Sequence, residues 1–111
     1  NTGVGIMIVD KDRTLIEVNP KFCEMLGFSK NELIGKSAEM IHVSNKTYKE
    51  FGNKAFNLVR NKETVNLDWV FKKKNGKKIW FRIAGDPVAE QEEVLWTIVD
   101  ITERVEAQEK V

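Results

Sequence analysis

The chain is poor in the residues that do covalent and metal chemistry, with one cysteine, Cys23, and one histidine, His42, among 111 residues. A single thiol cannot close an internal disulfide, which suits a reducing compartment. With no histidine or second cysteine in motif range, Cys23 has no metal or redox partners, and a helix residue packed partly into the core is the role expected of it. Net charge is nearly absent too: 18 basic against 17 acidic residues leave +1, so no overall field draws in nucleic acid or an anionic membrane. Every apolar stretch is far shorter than a bilayer requires, and no signal peptide is present. A soluble, cytoplasmic domain without membrane contact of its own is expected. The chain holds no catalytic carboxylate pair, serine–histidine–acid set or glycine-rich phosphate loop, so no enzymatic activity is expected of it. Asp10, Asp68 and Asp100 fall at strand ends or on strand faces and read as caps and ion-pair partners.

What is present is enough for one core: 41% of the residues are hydrophobic, and the length suits a single domain. The chain starts directly on a strand and ends in a polar helix. It therefore reads as a piece of a longer protein, with a domain over residues 1–103 and the start of a C-terminal linker helix over 104–111. The missing parts could include membrane spans.

Val4 to Val9 is an apolar run closed by Asp10, and Thr14 to Val18 resumes in β-type residues, which makes a hairpin. The second strand should set Thr14, Ile16 and Val18 on one side and Leu15 and Glu17 on the other. Asn19 then caps a short helix with Pro20 at its first position, carrying Phe22, Met25 and Leu26 inward and ending at Gly27. Ser29 and Glu32 match a capping box for a second short helix that stops at Gly35. Residues 36–45 read as irregular, with Met40 and Ile41 inward. Tyr48, Phe51, Ala55 and Val59, flanked by Phe56 and Leu58, mark one full amphipathic helix over residues 46–60, with Gly52 an awkward interior residue. Val65, Leu67, Trp69 and Phe71 alternate with polar neighbours. After five lysines around Asn75-Gly76, the solvated tip of a hairpin, Ile79, Phe81 and Ile83 alternate with Trp80, Arg82 and Ala84. Asp86, Pro87, Glu90, Glu92 and Glu93 read as a solvated loop. It leads into Val94 to Ile101, apolar on both faces and so central in its sheet. The order of elements predicts an α+β fold: an antiparallel sheet with helices on one side and the first and last strands adjacent in its centre.

Asp10, Val18-Asn19-Pro20, Leu26-Gly27-Phe28-Ser29 with Glu32-Leu33-Ile34-Gly35, Lys74-Asn75-Gly76, Trp80 and Asp100-Ile101-Thr102-Glu103-Arg104 together resemble the PAS sensory domains over residues 5–104. The resemblance implies a five-stranded sheet of order 2-1-5-4-3. It also implies a regulatory module that binds a small molecule between sheet and helices, or binds nothing and mediates dimerisation. Its usual setting is upstream of a histidine kinase, a cyclic-dinucleotide enzyme or a transcription regulator, so a homodimer with an effector domain in the same chain is expected.

No cofactor is expected. The cysteine of the flavin-binding LOV subfamily falls at Ala38, its asparagines at Phe71 and Phe81 and its glutamine at Ile98, which disfavours flavin. Haem-binding members carry a histidine on the long helix, where this chain has none; His42, in the irregular segment, suits a surface or loop-packing role. Met7, Val9, Phe22, Met25, Met40, Phe56, Trp69, Phe71, Phe81, Trp96 and Ile98 would face the space between sheet and helices. They make either a filled hydrophobic core or a small apolar pocket with an indole N–H of Trp69 or Trp96 as its polar handle. Trp80, Asp100 and Thr102 are the candidates for passing a signal out. Trp80 should face away from the helices with Val70 and Arg82, while Ile101, Val105 and Gln108 suit a two-helix stalk.

Overall fold

Antiparallel pairing builds one five-stranded sheet in the order β2-β1-β5-β4-β3, seen in a computed structural model that describes residues 3–88 and 92–109. The strands are β1 (Gly5–Val9), β2 (Leu15–Val18), β3 (Val65–Lys72), β4 (Lys78–Val88) and β5 (Glu93–Asp100). Between β2 and β3 run the helices α1 (Pro20–Leu26) and α2 (Lys30–Leu33), a 3-10 turn (Ala38–Ile41), then α3 (Asn45–Phe51) and α4 (Asn57–Arg60). A final helix, α5 (Thr102–Glu109), follows β5. The fold is α+β, with the first and last strands side by side from Gly5↔Ile98 to Val9↔Val94.

Local chemistry explains most of the element ends. The Asn19 side chain does three things at once: its Oδ1 accepts from the amides of Phe22 and Ile6, each at 2.9 Å, and its Nδ2 donates to Val4 O at 2.9 Å. It thus caps α1 and ties that helix to the edge of β1. Ser29 and Glu32 form the expected capping box on α2, and Gly27 closes α1 in the left-handed region at φ 84°. Asn75 and Gly76 turn the β3–β4 hairpin, Asn75 Oδ1 accepting from the Lys77 amide at 2.9 Å.

Four features depart from the sequence pattern. Leu15 lies in the core with Val18, because β2 bulges: Ile8 pairs with Glu17 but Val9 pairs with Leu15, so the extra residue Ile16 resets the alternation. The long helix is not uniformly α-helical, since Gly52–Phe56 forms a π turn between α3 and α4. Asp86 and Pro87 are not in a loop but in β4, paired with Leu95 and Val94. Proline is tolerated there because β3 pairs only as far as Gly85, so that stretch of β4 has a partner on one side. Glu92 is the turn residue before β5 and Glu93 its first member; Glu90 lies outside the described residues.

The outer sheet face is also less covered than the apolar runs suggest. Val94, Trp96 and Ile98 are buried and Leu95 and Thr97 half-buried, but Val99 is 43% exposed. Central position in the sheet covers the strand edges and the helix side; the other face has no full layer upon it among the described residues. On the covered side, Phe22, Phe71, Phe81, Trp96 and Leu26 are among the largest fully buried side chains.

The backbone of Gly85 on β4 lies opposite Trp96 on β5, with no room between them for a side chain. A Cβ on Gly85 would stand 2.4 Å from the Trp96 ring atom Cζ3, so the indole packs directly against the glycine. Gly85→Ala is expected to destabilise the domain by about 3 kcal/mol through overpacking, measured by urea denaturation. A loss below about 1 kcal/mol would mean that the indole has room to move.

Candidate functional site

The space between helices and sheet is occupied by aromatic side chains converging on Phe51. Its ring centroid lies 5.1 Å from Trp96, 5.2 Å from His42, 5.6 Å from Trp69 and 5.7 Å from Phe71. Phe71 in turn meets Phe81 at 5.3 Å and His42 at 5.0 Å. The strand alternation that places Trp69, Phe71, Phe81, Trp96 and Ile98 on one face therefore delivers them to a common centre. Met7, Val9, Phe22, Met25 and Phe56 join the same buried cluster, and Met40 packs against it from a half-buried position. Tilted and edge-on ring contacts of this kind each add about 0.5–1.5 kcal/mol beyond area burial.

Two polar groups are stranded in this apolar setting. Trp69 Nε1 and His42 Nδ1 are both buried without a hydrogen-bond partner. His42 is only 2% exposed, so its place is inside the fold rather than at a surface. The other ring nitrogen, Nε2, lies 3.4 Å from Arg13 Nη2. A guanidinium can only donate, so Nε2 accepts and the ring proton resides on Nδ1. Neither N–H, that of His42 in the core or that of half-buried Trp69 at its edge, has an acceptor among the described residues. A buried unmade hydrogen bond costs about 1–3 kcal/mol.

Arg13 is the residue the sequence pattern passed over. It sits in the β1–β2 turn at φ 62°, yet its side chain is turned inward and the residue is only 9% exposed. Nη1 donates to Tyr48 O at 2.8 Å, and the guanidinium carbon lies 3.8 Å from the centre of the Tyr48 ring. Gly52 explains itself here: a Cβ at that position would meet Arg13 Nη1 at 2.8 Å. Burial pulls the Arg13 guanidinium below its ordinary range, while Tyr48 and Glu39 act in the opposite direction. Burial, followed by repulsion from Arg13, lowers the His42 pKa to about 3, so the ring is neutral near pH 7.

The remaining candidates fall where their roles require. Cys23 is half-buried against the core, and burial raises its thiol pKa. Ala38 is buried in the 3-10 turn. Asp10 Oδ1 accepts from the amides of Asp12 and Thr14, and Asp68 pairs with Arg82 at 2.9 Å on the outer face. Lys74 reaches Glu32 at 2.6 Å, and this bond leads in lowering the Glu32 carboxyl to about 2. Among the described residues no group of three or more acids, cysteines and histidines could hold a metal ion, and no helix is long and apolar enough to cross a membrane.

The exit from β5 is held by backbone bonds to Trp80. Ile101 N donates to Trp80 O at 2.9 Å, and the Trp80 amide donates to Thr102 Oγ1 at 2.9 Å. Asp100 Oδ1 accepts from the Thr102 amide at 2.9 Å, capping the start of α5. The three candidates Trp80, Asp100 and Thr102 therefore meet at one junction, with Ile101 buried beneath it and Val105 half-buried one turn on. Val70 stands opposite Trp80 on β3.

A family model described as a PAS domain matches residues 3–103. The sensor histidine kinase TmoS of Ectopseudomonas mendocina is 26% identical over 113 aligned positions, which take in 98% of this chain and 12% of that protein. Among solved structures, the PAS domain of a Colwellia psychrerythraea protein superposes with a TM-score of 0.84 at 22% identity, over 93% of this chain and 90% of that one. The Rhodobacter sphaeroides LOV protein gives 0.79 at 13% identity, over 99% and 66% respectively. At these identities the two structures speak for the fold alone.

The buried histidine sets a pH dependence. Its folded pKa of about 3 lies below the ordinary 6.5, so the unfolded chain binds the proton more readily. The stability it contributes is complete above about pH 6.5 and drains away as the pH falls towards 3. Between pH 6 and 5, above the range where carboxylates dominate, unfolding free energy should fall by about 1 kcal/mol per pH unit. His42→Leu should flatten that slope. A wild-type slope near zero in urea titrations across this range would contradict a buried neutral ring.

Proposed function

The chain belongs to the PAS domain family, and from that premise we propose that it is the sensing module of a multidomain signalling protein, such as a histidine kinase. A small molecule with an apolar body is sensed between sheet and helices, and β5 carries the change into α5 and on to an effector domain. The observation that carries this reading is the pair of acceptorless donors, Trp69 Nε1 and His42 Nδ1, in a core otherwise closed by hydrocarbon. Buried polar groups left without partners are uncommon, and a guest bearing a hydrogen-bond acceptor would satisfy them. Phe51, in contact with both Trp69 and His42, is the side chain that would have to yield.

The position of β5 supports this route of transmission. Trp96 and Ile98 face the core, while Asp100 and Thr102, a few residues on, hold the end of the strand to Trp80 and the start of α5. A displacement of the aromatic cluster therefore bears on the same strand that ends in the helix cap. The homodimer belongs to the same reading: α5 is polar apart from Val105 and Ala107, and the half-buried Val105 is the apolar side chain through which two copies would pair, Ile101 being already buried within the domain. The module works without haem or flavin, since Phe71, Phe81 and Ile98 put hydrocarbon where a flavin edge would need donors and acceptors. The similarity to a sensor histidine kinase covers only a small part of that protein, and supports the kind of parent rather than its signal.

A second reading has its own observation. Phe22, Phe71, Phe81 and Trp96 are fully buried, with Phe71 5.3 Å from Phe81 and Trp96 5.1 Å from Phe51 between ring centroids, as in a core with no guest, and this favours a ligand-free dimerisation module.

Native mass spectrometry of protein purified from its own host separates the two. A retained small molecule, in a colourless sample, is the expected result; no bound mass together with no thermal shift across a metabolite panel would favour the ligand-free module. In the full-length protein, Asp100→Ala is expected to alter output severalfold while leaving ligand affinity within about twofold, because it removes a cap worth about 1 kcal/mol at the exit and touches no core residue. Equal loss of both, with a lowered melting temperature, would reduce Asp100 to a folding role.

A further inference from the structure

A groove lies between the β1–β2 turn and the outer side of α3 and α4. It measures about 420 Å³ and is lined by Lys11, Arg13, Tyr48, Lys49, Gly52, Asn53, Phe56, Asn57 and Arg60. Four of these residues are cationic and none is acidic, in a chain whose charges otherwise almost cancel. Two amide side chains and two aromatic rings complete the wall.

The groove is also built, in the sense that several unfavourable features were needed to make it. Arg13 adopts a left-handed backbone that non-glycine residues rarely take. Its neighbours fix it there, the Arg13 amide donating to Asp10 O and its carbonyl accepting from the Ala38 amide. The π turn at Gly52–Phe56 and the absence of a side chain at Gly52 make room for its guanidinium. Turns of this kind interrupt helices at functional sites more often than elsewhere. Among the described residues, no carboxylate lies within ion-pair distance of Arg13, Lys11 or Lys49. Arg60 has an exposed partner, Glu92, at 3.7 Å, and Glu39 acts on Arg13 only through space. A largely buried guanidinium without a carboxylate partner is costly to keep; Nη1 and Nη2 each give one bond, to Tyr48 O and His42 Nε2, and the remaining N–H groups are donors that an anion would take up.

We propose that this groove is a binding site for a small organic anion, a carboxylate with an apolar body. Arg13 and the flanking Lys49 and Arg60 take the charge, Asn53 and Asn57 supply amide donors, and the apolar body lies against Tyr48 and Phe56. The site is on the outside of the helical layer and does not depend on the core taking a guest. Arg13 also reaches His42 at its inner end, so an anion held here would act on the same arginine that faces the aromatic cluster.

The test is an amide-resolved NMR titration of the 111-residue chain with hexanoate, and separately with inorganic phosphate as a charge-only comparator. Hexanoate is expected to shift the amides of Gly52, Asn53 and Asn57 saturably, to bind more tightly than phosphate, and to weaken as salt is raised. A Lys49→Gln, Arg60→Gln double variant, which changes exposed side chains only, is expected to keep its melting temperature and to bind hexanoate about tenfold more weakly. Absence of saturable shifts at those amides, phosphate binding as tightly as hexanoate, or unchanged affinity in the folded double variant would each overturn the proposal.

Discussion

The structure depends on the pairing of the chain's first strand with its last. β1 and β5 lie side by side in the middle of the sheet, so residues more than eighty positions apart must meet before either edge hairpin has a sheet to join. Contacts at such separation are slow to form and gain nothing until the loop between them is closed. What holds the pair once formed is burial on the helix side, where Met7, Val9, Trp96 and Ile98 stand in one layer. The side chain of Asn19 then ties α1 to β1 through the amide of Ile6 and the carbonyl of Val4, so the helices are registered on the sheet by directed bonds as well as by apolar contact.

On the proposed sensing reading, that arrangement is the path by which a rigid scaffold would pass on a change. β5 has β1 on one side and β4 on the other, with its inner face against the aromatic cluster and its end clasped by Trp80 and capped by Asp100. Every route from the core to α5 through the backbone goes along this strand. Packed cores respond to a guest by switching between discrete arrangements rather than by smooth deformation, and Phe51, which touches Trp69, Phe71, Trp96 and His42, is the element whose rearrangement would be felt at all of them. The polar line from the outer groove through Arg13 to His42 enters the same cluster from the opposite side.

The buried pair of Arg13 and His42 is unusual because it unites two bases. A cation beside an imidazole keeps the imidazole neutral, which is the state that can accept from the guanidinium. The price is an N–H on Nδ1 with nothing to bond. Removing the arginine would leave the ring's other nitrogen unpaired as well, so the two residues stand together or not at all. This mutual dependence accounts for a histidine among phenylalanines and leaves its Nδ1 as a donor that the proposed guest would meet.

Features decided by a few neighbouring residues were legible in the sequence: the Asn19 and Ser29 caps, the Asn75-Gly76 turn, the alternation that puts Trp69, Phe71 and Phe81 on one face, and the central place of the two most apolar strands. Each rests on a period or a turn chemistry that operates over a handful of positions. Only the tertiary structure decided that Leu15 turns inward at a bulge, that Pro87 sits within a strand, that Gly52 makes room for a guanidinium, and that Arg13 and His42 meet. The first two follow from strand pairing; the place of Arg13 is fixed by contacts 29 and 35 positions along the chain, to His42 and Tyr48, and nothing in the local pattern around a turn arginine or a loop histidine records which distant surface will close over it.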